Sequence, residues 1–157
     1  MRNDLELETA LDLDNFLPYR LSVLTNRVSS AIARQYSERF NLSVPEWRVM
    51  AVLGNDAGLS AREVAARTAM DKVQVSRAVA SLMRARRVQR QVDAQDARIT
   101  RLSLTERGRA IYDEIGPLAL HLESVLLSAL SPEERKQLGA LLDKLARRVS
   151  GLSSVSL

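Results

Sequence analysis

The stretch Val88-Gln89-Arg90-Gln91-Val92-Asp93-Ala94-Gln95-Asp96-Ala97-Arg98-Ile99-Thr100-Arg101-Leu102-Ser103-Leu104 decides the fold. Val88, Arg90 and Val92 alternate with Gln89 and Gln91, and Thr100, Leu102 and Leu104 alternate with Ile99, Arg101 and Ser103. Period two is the mark of a strand with one face turned inward. The polar segment 93–98 between the two runs reads as the charged tip of a hairpin. Elsewhere in the 157 residues the apolar spacing is three and four, so one hairpin sits in an otherwise helical chain.

Two short helices precede the hairpin. Ser60-Ala61-Arg62-Glu63 is a capping box: the hydroxyl and the carboxylate each satisfy a backbone N–H at a helix start. That helix ends near Thr68. Asp71 caps the next, which runs to about Ala85 with Val75, Ala78, Val79 and Leu82 as its inward stripe. Turning about 100° per residue from Val75 puts Val73, Arg77, Ala80 and Arg84 on the outer face. Gln74, Ser76 and Ser81 flank that face, and Lys72 lies in the first turn. These are side chains suited to the major groove: Arg pairs with guanine, Gln with adenine, Ser adapts, and a small apolar group meets a thymine methyl. Two short helices with a basic outer face on the second suggest a helix-turn-helix, and an Arg at a hairpin tip, Arg98, suits a narrow minor groove. Together they form a winged-helix layout.

Farther out the helices lengthen. Leu17, Leu21, Leu24, Val28 and Ala31 mark a helix from about Asn15 to Phe40, and Pro45 opens another, to about Leu53, that carries Trp47. After the hairpin, Thr105 caps a helix lined by Ile111, Ile115, Leu118, Leu122, Val125 and Ala129, with Gly116-Pro117 expected to kink it. Ser131-Pro132-Glu133-Glu134 opens the last helix, whose apolar face is Leu138, Leu141, Leu142, Leu145 and Val149. The Ser-rich tail 151–157 is expected to fray.

Charge follows the same division. From Ser60 to Arg109 there are 12 Lys and Arg against 5 Asp and Glu, a net of +7; the remainder holds 11 against 14, a net of −3. No acidic residue lies between Lys72 and Gln91. A basic centre in an acidic frame points to a polyanionic partner, duplex DNA; a solvated Arg-rich face is the alternative on charge alone. The absence of Cys excludes disulfides and thiolate metal sites, and one His, His121, is too few for an imidazole metal site. No paired acid and base, nucleophile motif or phosphate loop suggests an enzyme. No apolar run reaches membrane-spanning length, and the acidic start Met1–Glu8 lacks the apolar region of a secretory signal, so a cytoplasmic protein without cofactor is expected.

Asp96-Ala97-Arg98-Ile99-Thr100-Arg101-Leu102-Ser103-Leu104-Thr105-Glu106-Arg107-Gly108 matches the pattern D-x-R-x-x-x-L-x-L-T-x-x-G. That is the wing pattern of the MarR family of transcriptional regulators, which this chain resembles over nearly its whole length. Leu59–Ala65 and Lys72–Arg77 are similar to the family's helix-turn-helix segments. The resemblance implies a mainly α fold with a small β-hairpin wing: a winged helix-turn-helix (41–109) flanked by N-terminal (1–40) and C-terminal (110–157) dimerisation helices. It implies a homodimer on a palindromic operator, a repressor role, and release by a small organic effector. Asp96 would brace the wing through an Arg partner, and Arg98 would enter the minor groove. One departure stands out. The family commonly has a glycine and a hydrophobic residue after the recognition helix, where Arg86 and Arg87 stand here; both read as phosphate contacts.

The expected DNA contacts are thus Ser60, Arg62, Lys72, Val73, Gln74, Ser76, Arg77, Arg84, Arg86, Arg87 and Arg98. Without Cys, the thiol sensing of some relatives is excluded, and a lone His argues against zinc sensing. An organic effector, an aromatic acid or acyl-CoA, would lie between the dimerisation helices and the DNA-binding part, lined by Tyr19, Arg20, Asn26, Trp47, Arg48 and Tyr112. Trp47 also reads as core, and Arg20 and Arg48 as surface charges. A constitutive or architectural DNA-binding dimer without effector is the alternative function.

Overall fold

The computed structural model describes residues 11–149 and 151. The acidic start and the Ser-rich tail beyond Gly151 lie outside the described residues. Six helices and one hairpin follow in the order α1 (Leu17–Phe40), α2 (Val44–Asn55), α3 (Ala61–Thr68), α4 (Lys72–Arg84), β1 (Val88–Val92), β2 (Thr100–Leu104), α5 (Glu106–Leu127) and α6 (Pro132–Val149).

Each boundary has a local chemical cause. Pro18 sits in the first turn of α1, and Asn41 ends the helix in the left-handed conformation, φ 48°. Capping boxes start α2 (Ser43 with Glu46) and α3 (Ser60 with Glu63). The Ser43 box opens α2 one residue ahead of the expected Pro45. Asp71 caps α4, its carboxylate accepting the Gln74 N–H at 2.8 Å. Thr105 accepts from the Gly108 N–H at 3.0 Å to start α5. Pro117 does not end α5, which continues to Leu127. Ser131 and Glu134 cap α6 as expected, with bonds of 2.7 and 3.3 Å.

β1 and β2 pair antiparallel with Val88 opposite Leu104 and Arg90 opposite Leu102. Leu59 adds a bridge to the far edge of β2: Leu102 N–H donates to its carbonyl at 2.8 Å, and Gly58 N–H donates to Leu102 O at 2.9 Å. The turn before α3 is thereby bonded to the hairpin, an attachment that the period-two pattern did not disclose.

The chain divides into two compact units, one ending at Leu118 and the other starting at Ala119, both within the span of α5. The reason is packing. Tyr36 of α1 and Ile111 and Ile115 of α5 share one core with Val49, Met50 and Leu53 of α2, Val64 of α3, Val75, Ala78 and Leu82 of α4, and Val88 and Leu102 of the hairpin. The first unit is therefore the winged helix together with α1 and the start of α5. In the second unit, α6 has no buried residue, and its stripe Leu138, Leu141, Leu142, Leu145 and Val149 is exposed. Leu17, Leu21 and Leu24 of α1 are exposed as well.

Candidate nucleic-acid interface

α3 and α4 form the helix-turn-helix, joined through Ala69 in the left-handed conformation at φ 52°. Val75, Ala78 and Leu82 anchor α4 in the core, and Met70 is buried in the turn. The opposite face carries Val73, Gln74, Ser76, Arg77, Ala80 and Arg84, all exposed, with Lys72 at the first position. The assigned helical register therefore holds. Arg62 of α3, Arg90 of β1 and Arg98 at the hairpin tip are also exposed.

Several cations among the described residues are engaged by neighbours. Arg39, Arg67 and Arg101 have carboxylate partners, Glu114, Asp56, and Asp93 with Glu63. Arg48 bonds Ser29 Oγ at 3.2 Å, and Arg109 bonds Gly54 O at 3.0 Å and lies over the Tyr112 ring. By contrast Arg62, Lys72, Arg77, Arg84, Arg86, Arg90 and Arg98 make no ion pair among the described residues, as is also true of Arg20, Arg27 and Arg34 of α1, Arg107 of α5 and the cations of α6. The first seven sit close along the chain, on α3, on α4 with its exit turn, or on the hairpin. Arg62, Lys72 and Arg90 rim a cleft of about 450 Å³ between α3, α4 and the hairpin, floored by Val75, Val79, Met83 and Leu102. Unpaired guanidinium groups left in water on one face are what a phosphate backbone neutralises. Arg90 lies outside the expected contacts, because its alternation with the glutamines is a strand signal that conceals its charge.

The exit of α4 explains the two arginines that replace the family's glycine and hydrophobic residue. Arg86 N–H donates to Met83 O at 3.0 Å and Arg87 N–H to Leu82 O at 2.9 Å, a Schellman motif. Arg86 takes the left-handed position itself, φ 57°, where an L side chain costs about 1 kcal/mol. Arg87 takes the hydrophobic position and is 8% exposed. Its guanidinium donates to the carbonyls of Phe40 and Asn41, the last turn of α1, the second at 3.3 Å. A cation at a helix C-terminus is favoured by the helix dipole. Burial and nearby Arg107 push its pKa down, and Glu46 pushes it up. Arg87 is therefore not placed as a phosphate contact: it is turned inward, its two terminal nitrogens bonded to the end of α1 and its Nε buried without a partner.

Two further expectations need correction. Ser60 donates its hydroxyl to Glu63 Oε2 at 2.7 Å and accepts the Glu63 N–H at 3.3 Å. A phosphate oxygen needs a donor, and both that Ser60 has, its hydroxyl and its backbone N–H, are given to Glu63 in the cap. Asp96 does not brace the wing through an arginine; its carboxylate accepts the Arg98 N–H at 2.9 Å and shapes the tip turn. The brace is Asp93, five residues into the hairpin. It accepts from Arg101 Nε at 2.7 Å and from the Gln95 and Asp96 N–H groups at 2.8 and 3.0 Å. Arg101 continues to Gly58 O at 3.3 Å and Glu63 at 3.1 Å, tying the hairpin to the start of α3. The Arg101 bond, with the two backbone donors, holds the Asp93 carboxyl well below its ordinary value, at about 2.

The six effector candidates are not gathered in one cavity. Tyr19 and Arg20 line a depression of about 380 Å³ on the start of α1, with Val23, Leu24 and Arg27. Asn26 is exposed on α1. Trp47 stacks between Tyr36 and Tyr112, centroids 5.6 and 5.9 Å away, and the Tyr112 hydroxyl bonds Asn55 at 2.9 Å.

Comparison with known proteins agrees with this geometry. The family model described as MarR family matches residues 40–99, which span α2 to the hairpin tip. The HTH-type transcriptional regulator BilQ of Clostridium symbiosum (strain WAL-14163) is 33% identical over 95 residues, 60% of this chain. The match spans 66% of that relative's length, just under two thirds. A MarR/EmrR family transcriptional regulator from Acinetobacter sp. ADP1 superposes with a TM-score of 0.83 at 26% identity, over 90% of this chain and 99% of its own. S. aureus MepR, solved as a DNA complex, gives 0.75 at 25%, over 85% and 98%. With a winged helix-turn-helix, a family model matching residues 40–99 and structural relatives that superpose over most of its length, this chain is similar to the MarR family of transcriptional regulators.

Proposed function

We propose that the protein is a DNA-binding repressor that acts in the cytoplasm as a homodimer on a palindromic operator and is released by a small organic effector. The observation that carries the reading is the concentration of seven exposed cations without ion pairs on α3, α4 with its exit turn, and the hairpin. α4 enters the major groove by its N-terminal half, where Lys72, Gln74, Ser76 and Arg77 meet base edges and phosphates. Arg98 at the hairpin tip enters the minor groove, held out by the Asp93–Arg101–Glu63 brace. Arg62, Arg84, Arg86 and Arg90 neutralise phosphates. The DNA complex of S. aureus MepR, which shares the fold, supports this arrangement.

The exposed leucine stripe of α6 and the exposed start of α1 support a dimer, since apolar faces of this length are normally covered. Two-fold symmetry then presents two copies of α4 to half-sites about 34 Å apart. The effector is a small organic anion, an aromatic acid or acyl-CoA, and the depression lined by Tyr19, Arg20 and Arg27, with Asp14 offsetting one of the two arginines, keeps a net positive charge to match. One observation favours a constitutive or architectural binder instead: Trp47 and Tyr112 are occupied with each other.

Duplex titration against salt tests the DNA reading. Arg77→Ala should weaken specific binding by about 1–3 kcal/mol and relax base preference at one position. Unchanged affinity and selectivity would sink the assignment of α4. Thermal shift against aromatic acids and acyl-CoAs separates the two regulatory readings: a saturable rise in Tm supports an effector, and none across the panel favours the constitutive dimer.

A further inference from the structure

We propose that Val73 reads the C5 methyl group of one thymine in each operator half-site, within about two base steps of a guanine held by Arg77. This rests on the reading of α4 as the DNA-reading helix. Val73 is 58% exposed, a large apolar side chain left in water at the second position of α4. Among the described residues, the other exposed large apolar side chains, Val92 of the wing apart, belong to α1 and the segment leading into it or to α5 and α6. Those long helices form continuous apolar stripes suited to a protein partner. Val73 has no such stripe. Its neighbours on the outer face are Lys72, Gln74 and Arg77, all exposed, and an apolar protein surface laid over them would strand two charges without water or a counter-ion.

The major groove offers a surface that satisfies both kinds of neighbour at once. Its only apolar group is the thymine methyl, set among acceptors that take Arg and Gln. Helix geometry fixes the spacing. Val73 and Arg77 are one turn apart on the same face, about 6 Å along the axis, and stacked bases are about 3.4 Å apart. The methyl-bearing thymine therefore lies one or two steps from the guanine. A valine is also stiff at χ1, so its two methyl groups present a fixed surface at little entropic cost.

The test replaces thymine by uracil, which deletes the methyl and nothing else. A duplex is first recovered by selection from a random pool with the full-length protein. Each thymine of one half-site is then exchanged for deoxyuridine, and affinity is measured for the wild type and for Val73→Ala and Val73→Thr. One position should cost the wild type about fourfold per half-site, the value of one buried methyl. That same exchange should cost Val73→Ala nothing, and Val73→Thr, which keeps one methyl, an intermediate amount. Because Val73 is exposed, both variants should melt with the wild type, and either one alone completes the cycle. If no thymine is sensitive, or the penalty persists in Val73→Ala, the proposal is overturned while DNA binding stands. If selection recovers no duplex, the reading of α4 falls and the proposal with it.

Discussion

Arg87 offers a sharp division between a structural arginine and a phosphate contact. Arg87→Ala removes the guanidinium that caps α1, leaving the Phe40 and Asn41 carbonyls without it. Asn41 is exposed, so water replaces the donor there; Phe40 is half-buried, and its charge-assisted bond is worth about 2 kcal/mol. The lost packing of the buried aliphatic stem adds about 1–2 kcal/mol. Against these stands the Nε, which is buried without a partner; removing it returns about 1 kcal/mol. The balance is a loss of about 2–3 kcal/mol, or a fall in Tm of about 5–10 °C for a chain of this size. Arg87→Leu keeps the stem and discards the orphan donor, so it should lose only about 1 kcal/mol. Urea unfolding at fixed protein concentration reads the first quantity, since the stability of the proposed dimer would depend on concentration. The slope of log Kd against log salt reads the second. It should be unchanged in Arg87→Ala, because no phosphate contact is lost. Unchanged stability with a slope reduced by about 0.9 would refute the inward placement.

Arg86→Gly should behave in the opposite way. Glycine relieves the left-handed strain at φ 57°, and after its own entropic cost the gain is about 0.5 kcal/mol in urea unfolding; the salt slope should fall by about 0.9 as an exposed cation is lost. Gly108→Ala places a Cβ 2.0 Å from the Arg87 carbonyl, backbone against backbone, and should cost about 3 kcal/mol by the same assay. Asp93 has its folded pKa depressed to about 2, so its contribution is complete above the unfolded carboxylate value near 4 and is lost as pH falls through about 2. The amide resonances of Gln95 and Asp96, which donate to that carboxylate, should titrate with a midpoint near 2; a midpoint near 4 would show the brace is not formed.

What the sequence disclosed and what it concealed divide by distance along the chain. The capping boxes at Ser60 and Ser131, the Asp71 cap and the alternation of the hairpin are encoded within four residues, and each lies where spacing put it. So does the face of α4, because a core anchor at Val75 fixes every other angle on the helix. The box at Ser43 is equally local, but the Pro45 signal inside the same first turn masks it. The concealed features join distant residues. Arg87 meets Phe40 and Asn41, 47 and 46 positions away, and nothing in the local pattern separates a buried guanidinium from an exposed one. Arg101 reaches Gly58 across 43 positions and Glu63 across 38. The carboxylate that braces the wing was assigned to Asp96 by family likeness, whereas hydrogen-bond geometry gives it to Asp93. Trp47 and Tyr112, 65 positions apart, stack on each other only because α2 and α5 share a core.

Selection of bound duplexes from a random pool by the full-length protein, at physiological salt, tests the proposed DNA reading most directly. The enriched sequences should share an inverted repeat whose half-sites are centred one helical turn, about 10 base pairs, or a whole multiple of it apart. Loss of that enrichment in Arg77→Ala would tie it to α4. Duplexes recovered without a common repeat, or recovered equally by Arg77→Ala, would contradict the assignment of the exposed face of α4 as the surface that reads DNA.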